Sequence, residues 1–288
     1  CDGGGIRGAA SANFLAQLEK GSNKKLLETF DLFAGTSTGA IIAAGISVAR
    51  MTGETLAGLY NYENANQIMD KSIWDKALGL AQAEPKYDGK GKKKVLKKYF
   101  KERLLRQAAK PTLVVTYDVE SRKSAVLKSN TSRNIKALEA VDASSAAPSY
   151  FPTVKVGNRY LIDGGVVANN PSMCAYAEAK KLWPDEEIKL LSVGTGKRTR
   201  KINGKKSMDY GAIEWMRHDL LGIVMDESVV HYQAQTILGD KYLRINSDLD
   251  EVNDDMDDCS RQNIASLKRL GQGWYNGNSD ALAAFFQD

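Results

Sequence analysis

Gly35-Thr36-Ser37-Thr38-Gly39 is the stretch on which the reading of this chain turns. Ahead of it, Thr29 to Ala34 is a short apolar run, the pattern of a buried strand. Behind it, Thr38 to Ala49 is rich in alanine and isoleucine, the pattern of a buried helix. A serine between two glycines at a strand-to-helix junction forms a nucleophile elbow. The turn is tight, so side chains at positions 35 and 39 would meet backbone. The serine hydroxyl is then carried to a helix N-terminus, where developing negative charge is favoured. A glycine turn of purely structural purpose spells the same motif, so the elbow alone leaves the chemistry open.

Outward from the elbow, strands alternate with helices. Residues 3–8 form a glycine loop, and Ala9 to Lys20 reads as a helix. Lys93 to Leu105 has amphipathic helical spacing. Thr112 to Val119 and Ser124 to Lys128 read as adjacent strands around a polar turn. Ile135 to Ala147 reads as a helix stopped by Pro148, and Gly157-Asn158 marks a hairpin. Pro171 opens a further helix, Ile188 to Val193 is a buried strand, Gly211 to Leu238 is largely helical, and Tyr242 to Ile245 is a last strand. Ser260 is a good N-cap for a helix ended by Gly271. There is no internal repeat. The pattern predicts one α/β domain over residues 1–288 around a central, mostly parallel sheet.

Composition supports a packed globular chain: 288 residues, 43% hydrophobic and 26% charged. No apolar run reaches the roughly 18 residues a membrane span needs. The sequence opens on Cys1 and enters the glycine loop at once, so it is expected to lack its natural N-terminus and a leading strand, and a signal peptide stays open. Three widely spaced cysteines, Cys1, Cys174 and Cys259, suit a reducing, cytoplasmic setting better than a disulfide framework or a zinc site. The net charge of +5 is concentrated between Lys86 and Arg106, where ten basic residues face only Asp88 and Glu102. Such a run can meet anionic lipid, but it reads first as a solvated helix face, and no nucleic-acid partner is expected.

A serine needs a base to become a nucleophile. The chain has only His218 and His231, both inside a helical stretch rather than at a strand end. Asp163 follows the run Tyr160-Leu161-Ile162 and precedes Gly164-Gly165, so its carboxylate projects at a strand end. Alone, an aspartate before two glycines reads as an ordinary turn residue. The third element is Asp2-Gly3-Gly4-Gly5-Ile6-Arg7-Gly8, whose glycines can aim backbone N–H groups at an oxyanion. Its Gly3-x-Gly5-x-x-Gly8 spacing also matches a dinucleotide loop, but no acidic residue follows at the end of a second strand. Gly194-Thr195-Gly196-Lys197 lacks the first glycine of a P-loop, where Leu191 stands. Asp248 to Asp258 lacks the glycine of a calcium loop, where Asn253 stands. No metal ligand set is expected.

Taken in order, Asp2-Gly3-Gly4-Gly5-Ile6-Arg7-Gly8, Gly35-Thr36-Ser37-Thr38-Gly39 and Asp163-Gly164-Gly165 resemble the patatin-like phospholipase family. Ala146-Ala147-Pro148 to Pro152, Asn169-Asn170-Pro171 and Leu191 to Gly196 fit the same resemblance. It implies a three-layer α/β/α fold and hydrolysis of lipid acyl esters, without a metal or organic cofactor. It implies Ser37 as nucleophile and Asp163 as base, with no histidine. It implies an oxyanion hole from the amides of Gly3, Gly4 and Gly5 with Arg7 nearby, and Gly8, Gly35, Gly39, Gly164 and Gly165 as supports. Some bacterial members are phage-defence effectors switched on by cyclic nucleotides, so a phospholipid substrate at a membrane surface, a cyclic-nucleotide activator, peripheral membrane contact and a homo-oligomer are the partner expectations. The alternatives are an esterase for small soluble esters and a non-catalytic lipid- or nucleotide-binding module.

Overall fold

The computed structural model describes residues 1–70, 84–250 and 252–287. The glycine loop runs into α1 (Gly8–Ser22), followed by α2 (Leu26–Thr29), β1 (Phe33–Thr36) and α3 (Thr38–Ser47). Next come α4 (Gly53–Leu59), α5 (Tyr62–Ile68), α6 (Lys90–Phe100), β2 (Thr112–Asp118), β3 (Lys123–Lys128) and α7 (Ala137–Ser144). The hairpin strands β4 (Val154–Val156) and β5 (Arg159–Asp163) lead into α8 (Gly165–Ala168) and α9 (Ser172–Leu182). β6 (Leu190–Val193), α10 (Gly204–Ser207), α11 (Ala212–Arg217), α12 (Leu220–Val224), α13 (Ser228–Leu238) and β7 (Tyr242–Ile245) precede α14 (Arg261–Gly277) and α15 (Ser279–Phe286).

The strands form a five-stranded sheet and a parallel β6–β7 pair. Residues 1 and 2 join them. The Cys1 nitrogen donates to the Ala34 carbonyl at 2.9 Å, and the Asp2 amide donates to the Val193 carbonyl at 3.0 Å. Both faces are covered. Leu190 and Tyr242, paired in register, pack under α9 and α13 with Ala234 and Leu238. Val193 and Ile245 are paired three residues later, on the opposite face, and enter the main core with Phe14, Ile42 and Leu267. This is the three-layer α/β/α arrangement.

The pairing is mixed rather than mostly parallel. β1–β2 and β6–β7 are parallel, while β2–β3, β2–β5 and β4–β5 are antiparallel. For β2–β3 and β4–β5 the physical reason is loop length: the turns between β2 and β3 and at Gly157-Asn158 are too short for a crossover helix. Three helix boundaries also shift. The lysine-rich helix stops at Phe100, where Lys101 takes φ 53°. The stretch Gly211 to Leu238 breaks into α11, α12 and α13. Ser260 does cap α14 through the Asn263 amide, but the helix continues past Gly271 to Gly277. Gly271 serves close packing: a Cβ there would lie 2.2 Å from the Ala10 carbonyl oxygen of α1.

One buried ion cluster ties the sheet to the glycine loop. The Arg244 guanidinium on β7 pairs with Asp2 and, at 3.1 Å, with Glu227. It also donates to the Ser192 hydroxyl at 2.7 Å on β6. Removing the cation strands the buried Asp2 carboxylate and the half-buried Glu227, so Arg244→Leu is expected to lower stability by about 3 kcal/mol in urea unfolding. A loss under about 1 kcal/mol would mean that water already solvates the cluster.

Candidate active site

The elbow forms as its sequence requires. β1 ends at Thr36, α3 begins at Thr38, and Ser37 between them takes φ 55° and ψ −123°. A non-glycine residue in that region is strained, and it persists only where its surroundings over-determine it. They do so here. A Cβ on Gly35 would sit 2.1 Å from the Gly39 carbonyl oxygen, and one on Gly39 would sit 2.1 Å from that of Cys1. The Ser37 amide donates to the Ser144 hydroxyl at 2.9 Å, and that hydroxyl donates onward to the Val115 carbonyl at 2.6 Å. Ser144 ends α7, so a side chain more than a hundred residues away fixes the Ser37 backbone.

Asp163 ends β5 and is fully buried. Its amide donates to the Ala146 carbonyl at 3.0 Å, two residues beyond the end of α7. Oδ1 accepts the Gly165 amide at 2.7 Å, while Oδ2 makes no hydrogen bond among the described residues. Burial pushes the carboxyl up to about 6, against the pull of the Ser37 hydroxyl, the Gly165 amide and the Lys92 ammonium. Such a value suits a base that works near neutral pH.

The glycine loop passes directly over the serine. A Cβ on Gly3 would meet the Asn169 side chain and come within 3.2 Å of the Ser37 Cβ. The structure divides the loop's expected roles. The Gly3 amide already donates to the Asn169 carbonyl at 3.1 Å, so it is engaged. No acceptor is recorded among the described residues for the amides of Gly4 and Gly5, and Gly5 lines the cleft beside Ser37. Arg7 does not line that cleft. Its Nε and Nη1 donate to the carbonyls of Gly4 and Gly196, each at 3.3 Å, bracing the loop from behind. Burial, with Arg198 nearby, pushes the Arg7 guanidinium down to about 10. Gly8 packs against Thr38, and Gly164 against the Val115 carbonyl.

Ser37 and Asp163 share a cleft with about 750 Å3 of empty space, part of it open to solvent. Its walls are largely apolar, with Ile6, Ile41, Ile68, Phe151, Met225 and Met256 among the lining residues. Lys92 also lines it. Neither histidine does: His218 stacks on Tyr210, and Nδ1 of His231 lies 3.3 Å from the Tyr242 hydroxyl. Both instead line a neighbouring polar cleft with Arg7, Arg198 and Glu227. No group of three or more His, Cys, Asp or Glu side chains among the described residues is placed to hold a metal ion.

The comparison with known proteins fits this geometry. Residues 1–176 match the sequence profile of the family described as patatin-like phospholipase. The chain belongs to the patatin-like phospholipase family. It is a serine hydrolase of lipid acyl esters. It is 29% identical to patatin-like protein 1 of Arabidopsis thaliana, with 94% of this chain and 79% of that protein aligned. It is 26% identical to the calcium-independent phospholipase A2-gamma of Rattus norvegicus over 98% of this chain, which spans 38% of that longer protein. It is 28% identical to a cGAMP-activated phospholipase of Pseudomonas aeruginosa, with 84% of this chain and 75% of that protein aligned.

Ser144 and Lys92 are the site residues that sequence reasoning passed over. Ser144 gave no signal, being one small residue near a helix end. Lys92 did give one: with Val95, Leu96 and Tyr99 it occupies the i, i+3, i+4, i+7 stripe of an amphipathic helix, the buried face rather than the solvated one.

The Asp163 carboxyl makes a testable statement about stability. Its folded value lies above the ordinary 3.8, so the fold prefers the neutral form. The cost of ionising it is absent below about pH 4, grows as pH rises towards 6, and is complete above that. Asp163→Asn is therefore expected to raise stability at neutral pH by on the order of 2 kcal/mol. That gain should vanish in melts at about pH 4. A variant less stable than wild type at neutral pH would show that the ionised carboxylate is well compensated.

Proposed function

We propose that this chain hydrolyses membrane phospholipids as a phospholipase A-type enzyme through a Ser37–Asp163 dyad. The observation that carries the reading is the shared apolar cleft: the strained serine and the buried carboxylate both line it, and both histidines lie outside it. Ser37 Oγ gives its proton to Asp163 and attacks the acyl carbonyl carbon. The amides of Gly4 and Gly5, which have no backbone acceptor among the described residues, are the donors assigned to the oxyanion. The tetrahedral intermediate collapses, and the alcohol leaves with the proton from Asp163. Asp163 then takes a proton from water, the hydroxide attacks the acyl-enzyme, and the fatty acid departs as Ser37 recovers its proton. The apolar walls suit an acyl chain better than a small soluble ester. Intact Ser37 and Asp163 argue against a purely non-catalytic binding module.

The likeness to a cGAMP-activated phospholipase supports a second element, activation by a cyclic nucleotide in antiviral defence, with damage to the cell's own membrane as its output. In that reading the enzyme is cytoplasmic and meets the membrane peripherally.

Vesicle assays test the dyad and the activator separately. Ser37→Ala should lower fatty-acid release about a thousandfold or more. The double variant His218→Ala, His231→Ala should stay within about threefold of wild type. A large loss in the histidine double variant would replace the dyad with a triad. A cyclic dinucleotide added to wild type should raise the vesicle rate without changing the Ser37 requirement, and an unchanged rate across a panel would remove the activator from the proposal.

A further inference from the structure

Lys92 stands where an apolar residue would satisfy the fold. It lies on the buried stripe of α6 and is 3% exposed. Burying an ammonium is costly unless specific partners receive it. Its partners are unusual. Nζ donates to the carbonyls of Asp142 at 3.0 Å and Ser145 at 2.9 Å, and lies 3.1 Å from Asp142 Oδ1. It sits 4.3 Å over the Phe151 ring. The two carbonyls belong to the end of α7, where helical amides run out and a cation is favoured.

Those two carbonyls bracket the turn that holds the catalytic pair. Ser144, between them, receives the Ser37 amide. Ala146, immediately after them, receives the Asp163 amide. We propose that Lys92 is a positioning residue for hydrolysis: its ammonium clamps the end of α7, and that one turn sets the spacing of Ser37 and Asp163. Its charge also faces the same cleft as Asp163 and helps keep the base ionised in an apolar setting.

The groups that bear on this pair are few. Asp163 meets the Ser37 hydroxyl, the Gly165 amide and Lys92. Lys92 meets Asp142, Asp163 and Lys93, whose ammonium is 3.7 Å from Asp142 Oδ2 and largely exposed. Burial holds Tyr60 and Tyr150, on the cleft wall, above the ordinary tyrosine range, so they stay neutral. Lys92 is thus the one cation among the described lining residues of the cleft.

The proposal rests on the Ser37–Asp163 dyad. It is tested with wild type, Lys92→Met, Lys92→Gln and Ser37→Ala on a short-chain soluble ester, following kcat, KM and their pH dependence. Lys92→Met should lower kcat by about ten- to a hundredfold with KM within about threefold. The acid limb of kcat/KM should move up by about one pH unit, because losing the cation makes Asp163 harder to ionise. Lys92→Gln keeps a donor for the two carbonyls, so it should lose less kcat but show the same movement of the limb. It also supplies the readout if Lys92→Met fails to fold. A purely structural lysine would lower the melting temperature and leave kcat and the acid limb of the folded fraction unchanged. That result, in either variant, overturns the proposal. Ser37→Ala separates the two claims: activity kept there removes the dyad, whereas activity lost there but unaltered in the Lys92 variants removes only the role of Lys92.

Discussion

The last turn of α7 is the constraint on which the site depends. A nucleophile elbow and a buried aspartate on separate strands have no reason to meet unless something fixes their separation. Here the Ser144 hydroxyl receives the Ser37 amide and the Ala146 carbonyl receives the Asp163 amide. The backbones of Ser37 and Asp163 are therefore held by chain only two residues apart. The same Ser144 hydroxyl reaches the Val115 carbonyl of the central strand, so the turn is referenced to the sheet as well as to the dyad. A small shift of this turn would alter the separation of Ser37 and Asp163, and reaction rates fall steeply with such misplacement.

Around that turn the protein stores destabilising features that a purely structural core would avoid. Ser37 carries a positive φ, and Asp163 is a buried carboxylate held towards its neutral form. Lys92 is a buried ammonium. Each is opposed by specific contacts. Glycines remove the clashes at the elbow, the Gly165 amide and Ser37 hydroxyl support the carboxylate, and helix-end carbonyls receive the ammonium. Away from the dyad, the Arg244 cluster holds Asp2 and so anchors the start of the glycine loop to the sheet. Instability is concentrated where the chemistry needs it, and the surrounding layers compensate.

Much of this was legible in the sequence for physical reasons. Glycines at positions 35 and 39 and the run Gly3 to Gly5 are backbone requirements, and those show in residue identity. Strand and helix periodicity gave the α/β class and the hairpin at Gly157-Asn158. What did not show was tertiary. The mixed strand pairing depends on which strands become neighbours. Gly271 looked like a helix stop because glycine ends helices and also lets helices touch, and only the approach of α1 decides between the two. That the Gly3 amide is occupied by the Asn169 carbonyl depends on which backbone segments become neighbours, and that Arg7 braces the loop from behind depends on side-chain direction, neither of which shows in spacing. Lys92 lay between the two cases: its stripe position was readable, but its placement in a lysine run suggested solvent.

The account's central claim is that Ser37 is the nucleophile and Asp163 its base. Labelling with a lipid-like fluorophosphonate, followed by peptide mapping by mass spectrometry, tests it most directly. The account predicts a single adduct on the peptide that contains Ser37, formed rapidly in wild type and far more slowly in Asp163→Asn. An adduct on a different serine, or equal labelling rates in the two proteins, would contradict it.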